Sequence, residues 1–296
     1  MVISARQPVS VGLRWTFVFL AGLFCFCYPV AVIGVAFDVK PSFSLDWAGS
    51  FLLFLEGFVL VVVAMFRYGY WRPLLAALCV IVLSYTIETL GVNSGFPFGS
   101  YSYTGVLLPP LPGSVPLSVM FAWIFIIFGT SGLLDVKRRI FEKRGMIVGM
   151  ALSGALLATL LDLAIEPVAA HVVFYWEWLE LGPFLYYGVP LNNFVAWFVV
   201  AFVLNILVAW MLLGRNAYSV LQYKQEYEQR VQWQGKIERM AMLAPGILFL
   251  CSLFMFGLID LTHHYYWGTI WSLCGILIIA LLGHLKPYPV FNVATK

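Results

Sequence analysis

Eight apolar runs, each long enough to cross a bilayer, divide this chain and leave it few folds to adopt. A helix needs about 20 residues to span the hydrocarbon core. Backbone groups left unpaired in lipid are too costly to persist, so runs of this length become helices. The runs fall at 15–37, 48–66, 73–90, 115–134, 146–165, 194–213, 245–261 and 269–285. Composition agrees, with 62% of residues hydrophobic and 10% charged; a soluble domain carries about a quarter charged. The expected fold is all-α: a polytopic membrane protein forming one integral membrane domain over 1–296. Arg6 and Arg14 precede the first run as they would in a signal peptide. That run is too long for one and lacks a small-residue cleavage site, so it reads as a span.

Loop charges set an expected orientation. With the N-terminus inside and eight crossings, all of the 17 Lys and Arg residues except Lys40 fall on the inner side. That asymmetry is the positive-inside pattern, and it predicts both termini inside. The net charge of +3 then reflects orientation and calls for no nucleic-acid partner. Cys25, Cys27, Cys79, Cys251 and Cys274 all lie within runs, where cysteine packs as a small apolar residue.

Outer and inner connections differ. Residues 91–114 carry no charge, and 166–193 carry Glu166, Glu177, Glu180 and His171 but no Lys or Arg. Both are rich in Gly, Pro and aromatic residues. Such loops either fold back to line a cavity or form the aromatic belt common at membrane interfaces. The inner segment 214–243 mixes apolar residues with charges of both signs. It reads as a helix extending the sixth span or lying along the inner surface.

Two stretches echo each other, "VPLSVMFAW" at 115–123 and "VPLNNFVAW" at 189–197. A shift of 74 residues also lays Glu88 on Asp162 and Tyr101 on Tyr175. The expectation is a parallel internal repeat pairing spans 3–4 with 5–6, a plan that often places sites at the repeat interface.

Acids in a bilayer cost at least about 2.5–3.5 kcal/mol each, so they usually face the protein interior and mark function. Glu56, Glu88, Asp162 and Asp260 lie within spans, and Glu166 follows the fifth. Asp162 and Glu166 are four apart, on one helical face, with no basic residue nearby. Two carboxyls held close in an apolar site cannot both ionise cheaply, which provides an acid beside a base. A structural hydrogen-bonded pair or a helix cap is the alternative. Asp260, His263 and His264 have the spacing of a weak metal-site candidate on a helix, or form a polar rim. Asn192 and Asn193 open the sixth span with amides, which either cap the helix or hold a water. The chain has no P-loop, dinucleotide fingerprint, nucleophile elbow or HExxH.

Three stretches, "ETLGVNSGFPFGSYSYT" from Glu88, "LLDLAIEPVAAHVVFYWEW" from Leu160 and "YYGVPLNNFVAW" from Tyr186, together resemble the membrane-embedded carotenoid hydratases of the CruF type. The likeness covers most of residues 80–200. It implies cofactor-free hydration of the terminal C1,2 double bond of an acyclic or monocyclic carotenoid, within membrane lipid and beside other carotenoid-pathway enzymes. Such chemistry needs a protonated carboxyl, aromatic faces for a tertiary cation and a held water. The expected catalytic residues are Asp162, Glu166, Glu88 and Asn193. Tyr101, Tyr103, Trp176, Trp178, Tyr186, Tyr187 and Asn192 are expected around the substrate. The alternatives are a proton- or metal-coupled small transporter and a non-catalytic carotenoid-binding protein. A prenyltransferase would need an Asp-rich diphosphate site, which the chain lacks.

Overall fold

A computed structural model of the 296-residue chain describes residues 9–39, 42, 45–135, 146–179, 185–213 and 235–284. Every apolar run becomes a helix: α1 Val11–Ala36, α2 Asp46–Tyr68, α3 Trp71–Ser94, α4 Leu117–Asp135, α5 Met146–His171, α6 Leu191–Leu213, α7 Lys236–Thr262 and α8 Tyr266–His284. All eight are long and apolar enough to cross a membrane. The protein is therefore of the multi-pass membrane class.

Hydrogen bonds at the helix ends fix which ends share a face. The Arg67 guanidinium, on α2, donates to the carbonyls of Gly132 on α4 and Met242 on α7, at 2.9 and 2.8 Å. Arg72 on α3 donates to the Leu212 carbonyl of α6 at 3.3 Å, and Arg14 on α1 pairs with Glu238 on α7 at 2.6 Å. One face of the bundle thus gathers the starts of α1, α3 and α7 and the ends of α2, α4 and α6. The aromatic loops lie at the other. Residues 236–243 form the first turns of α7, so this part of the inner segment extends the seventh span and not the sixth. Residues 214–234 lie outside the described residues.

Helix α4 occupies the centre. It is apolar all round, as a helix enclosed by others must be, and packs against α2, α3, α5, α6 and α7. Trp123, Ile124, Ile126 and Ile127 are almost wholly buried. By contrast α1 turns Trp15, Phe19 and Phe26 outward, as a lipid-facing helix does. The two tryptophans aligned by the 74-residue shift meet, each about two turns in from the loop-side end of its helix. Trp123 of α4 and Trp197 of α6 stack with ring centroids 4.6 Å apart.

The loop side carries two short two-stranded ribbons. β1 (Tyr101–Tyr103) runs antiparallel to β2 (Trp176–Trp178), pairing Tyr101 with Trp178 and Tyr103 with Trp176. β3 (Leu185–Tyr186) pairs with β4 (Val189–Pro190), which leads directly into α6.

Candidate active site

The β1–β2 ribbon covers the loop-side end of a cavity. Side chains alternate faces along a strand, so Tyr-Ser-Tyr and Trp-Glu-Trp each send two rings the same way. Glu177 between them is exposed. Tyr101 and Trp178 rings lie 5.4 Å apart, and Tyr103 and Trp176 6.3 Å. Beneath this aromatic roof the cavity encloses about 950 Å³ of empty space, its open mouth included. Leu52, Leu53, Val119, Phe125, Ile126, Met255 and Phe256 supply much of its apolar wall.

Three carboxyls line it: Glu56, Glu88 and Glu166. Glu88, on α3, receives the Tyr101 hydroxyl at 2.6 Å and the Tyr103 hydroxyl at 2.8 Å on one oxygen. The Trp123 indole N–H reaches its other oxygen at 2.8 Å. Burial, and then the neighbouring Glu88 charge, push both tyrosine phenols up from their ordinary value. Both therefore hold their hydrogens and act as donors. Glu166, on α5, is built on the same plan. The Trp176 and Trp178 indole N–H groups meet its Oε2, each at 3.1 Å, and the Asn193 amide donates to its Oε1 at 2.9 Å. The ribbon thus braces both acids, the tyrosines of β1 holding Glu88 and the tryptophans of β2 holding Glu166. An ionised carboxylate only accepts, and three donors on each suit that form.

Asn193 is the joint between two acids. Its amide nitrogen donates to Asp162 Oδ2 at 3.0 Å as well as to Glu166. Both of its N–H bonds are then used, and among the described residues no donor occupies its carbonyl, which stays available as an acceptor. Asp162 is wholly buried, but it sits behind Asn193 and does not line the cavity.

Other expected site residues are placed elsewhere. Asn192 is exposed while Asn193 is buried, because consecutive helical residues point about 100° apart and only one can face inward. Tyr186 donates its hydroxyl to the Leu163 carbonyl at 2.8 Å, and the Tyr187 hydroxyl accepts from the Trp267 backbone N–H at 3.1 Å. They brace α5 and the start of α8, and neither lines the cavity. The metal-site candidate is not assembled. Helix α7 ends at Thr262, so His263 and His264 do not continue its face. His263 instead lies 3.6 Å from Asp38, His264 faces the Tyr266 hydroxyl at 3.1 Å, and Asp260 is buried. Among the described residues no group of three His, Cys, Asp or Glu side chains is placed to hold a metal.

Sequence reasoning counted Glu56 among the span acids without giving it a role at the site, and gave none to Tyr175, Trp123, Trp197 and Phe98; all five line the cavity. The echo contained both tryptophans, and their alignment was the available signal.

Gly99 shows how closely the roof is fitted. Its φ is +113°, and a Cβ there would stand 2.8 Å from the Pro190 ring and 3.3 Å from Trp178. Only glycine adopts that backbone cheaply, and strain of this kind costs about 1–3 kcal/mol. Gly99→Ala is expected to lower the thermal midpoint of the detergent-solubilised protein and to displace Trp178, read as a change in tryptophan fluorescence.

A multi-pass helical bundle with a carboxyl-lined aromatic cavity is the class that fold and site define. Residues 48–228 match the family described as carotenoid biosynthesis protein, and the chain belongs to that family. Over 126 residues it is 29% identical to bisanhydrobacterioruberin hydratase of Haloarcula japonica. The alignment covers 43% of this chain and 41% of that protein, so the chain spans about two fifths of that relative's length. The resemblance to carotenoid-hydratase-type proteins read from the sequence is borne out. No solved structure matches the chain.

Proposed function

We propose that this protein is a carotenoid hydratase, adding water to the terminal C1,2 double bond of an acyclic carotenoid end group to give a tertiary alcohol. One observation carries the reading: two buried carboxyls, each held by three donors, face an apolar cavity roofed by aromatic rings. The membership in the carotenoid biosynthesis family and the hydratase relative support the substrate class.

The chemistry follows from the alkene. Protonation at C2, the less substituted carbon, leaves a tertiary cation at C1. Its charge is stabilised by the faces of Trp176, Trp178 and Trp197 and by the Glu88 carboxylate. Water attacks C1. The free carbonyl of Asn193 accepts a hydrogen bond from that water, and Glu166 takes its proton as general base. Asp162 acts one step removed, holding the Asn193 amide in the orientation that leaves its carbonyl for water. No redox change occurs, so the reaction needs no redox cofactor. A polyene of roughly 30 Å suits the bilayer and reaches the cavity from lipid. We place the protein in the cell membrane with both termini inside, beside other enzymes of the pathway.

The test is expression in a cell that makes lycopene or γ-carotene. A new pigment heavier by one water, with a hydroxyl at C1, is the expected result. Folded protein in the membrane without such a pigment would falsify the reading.

A further inference from the structure

The proposed reaction leaves a proton donor unassigned, and the cavity holds a carboxyl that the mechanism has not used. Glu56 lies on α2, ten residues after Asp46 and so about 15 Å along the helix; Glu88 is only about 9 Å from the loop-side end of α3. Glu56 is 3% exposed and lines the same cavity as Glu88 and Glu166. Its setting is the opposite of theirs. A single donor reaches it, the Ser252 hydroxyl of α7, at 3.2 Å from Oε1. Among the described residues no hydrogen bond reaches its Oε2. Leu52 and Leu53 stand one turn before Glu56 and Met255 and Phe256 one turn after Ser252, and all four line the cavity. The Tyr175, Tyr28 and Cys251 side chains are its nearest polar company, and among the described residues none of the three donates to it.

The division of donors separates the roles. A carboxylate surrounded by three N–H or O–H groups has its charge compensated, and it can accept a proton from water without first giving one up. A buried carboxyl with one long hydrogen bond from a hydroxyl, and no cation beside it among the described residues, has far less compensation, and the neutral acid is the form that fits there. A neutral carboxylic acid facing an oily cavity is what protonation of an unactivated alkene requires. Position agrees with role. Glu56 and Ser252 stand on the α2–α7 wall, whereas Glu166 and Asn193 come from α5 and α6. An end group lying between the walls meets an acid from one side and a held water from the other.

We propose that Glu56 is the general acid that protonates C2, with Ser252 orienting its carboxyl; this rests on the hydratase reading above. The Glu56 O–H bond breaks and its proton joins C2, using the π pair of the double bond. C1 becomes cationic, the water oxygen bonds to it, and the proton that water loses goes to Glu166. Water in the cavity returns that proton to Glu56, so acid and base are restored and the sum is alkene plus water to alcohol.

The experiment compares wild type, Glu56→Gln, Glu56→Asp and Ser252→Ala, each full-length, in membranes containing lycopene. Three quantities are read: hydrated pigment formed, protein accumulated, and lycopene retained on the purified protein. Glu56→Gln keeps the size and the bond from Ser252 but has no acidic proton. It is expected to lose hydration by at least about 10²-fold, the lower range for a general acid, while retaining lycopene as wild type does. Ser252→Ala is expected to lose only a few-fold. Should Glu56→Gln not accumulate, Glu56→Asp decides, with an expected loss of about tenfold from an acid withdrawn by one methylene. Hydration within about threefold of wild type in Glu56→Gln, or an unchanged rate in Glu56→Asp where that variant decides, overturns the assignment to Glu56. An inactive wild type that retains lycopene overturns the hydratase reading itself, and a carotenoid-binding role then replaces it.

Discussion

Glu166→Gln is expected to reduce hydration by about 10²–10⁴-fold, the contribution of a general base. Loss of the base is the first reason, and rearrangement of its neighbours is the second. The two oxygens of Glu166 accept from different sides, Oε2 from Trp176 and Trp178 and Oε1 from Asn193. An amide must turn its NH₂ to one side. Indole N–H groups only donate, so an NH₂ facing the tryptophans leaves two buried donors without an acceptor. An NH₂ facing Asn193 forces that side chain to turn its carbonyl inward, and the acceptor proposed for the water is lost. Leaving a buried donor unmet costs about 1–3 kcal/mol. Glu166→Gln should therefore also lower the thermal midpoint. Asp162→Asn provides the comparison. It removes an acid that does not line the cavity, and its expected loss of hydration comes through displacement of Asn193. The two variants are separated by pigment analysis together with thermal melting.

Glu88→Gln should lower hydration by about 10²-fold while disturbing the fold far less, since electrostatic stabilisation of a charged transition state is worth at least that much. The contrast comes from the donors. Tyr101 and Tyr103 meet one oxygen of Glu88, and Trp123 meets the other. A glutamine can keep its carbonyl toward Trp123 and present its NH₂ to the tyrosines, whose hydroxyls can turn and accept. The hydrogen bonds survive and only the negative charge is lost. A variant that melts like wild type, still retains lycopene and no longer hydrates it would isolate the charge as the cause. A fully active Glu88→Gln would remove Glu88 from the mechanism.

How far the site could be read from the sequence follows the range of the forces involved. The helices were legible because the bilayer imposes a length on each run, independent of any partner. Glu88, Asp162 and Glu166 were legible because acids without basic partners in lipid-facing runs are costly anywhere. What joins them was not. The Tyr101–Tyr103 and Trp176–Trp178 strands are three residues each, too short for a recognisable alternation, and their pairing is long-range. Glu56 belongs to the cavity only because α2 and α7 pack so that Ser252 meets it. Asn193 was expected among the catalytic residues and Asn192 around the substrate, and the rotation of α6 turns only Asn193 inward. The metal-site candidate failed on a boundary, since Asp260, His263 and His264 share a face only if α7 continues past Thr262. The echo between 115–123 and 189–197 located the meeting point of α4 and α6, where Trp123 stacks on Trp197, though it gave no role to either ring.

The central claim is that water itself, held by Asn193 and Glu166, adds to C1 of a carotenoid end group. The most direct measurement uses the purified protein in lipid with lycopene, in water enriched in heavy oxygen, with no redox cofactor added. A tertiary alcohol carrying the heavy oxygen at C1 is the predicted product. An alcohol whose oxygen is of ordinary mass, or no alcohol from protein that still holds lycopene, would contradict it.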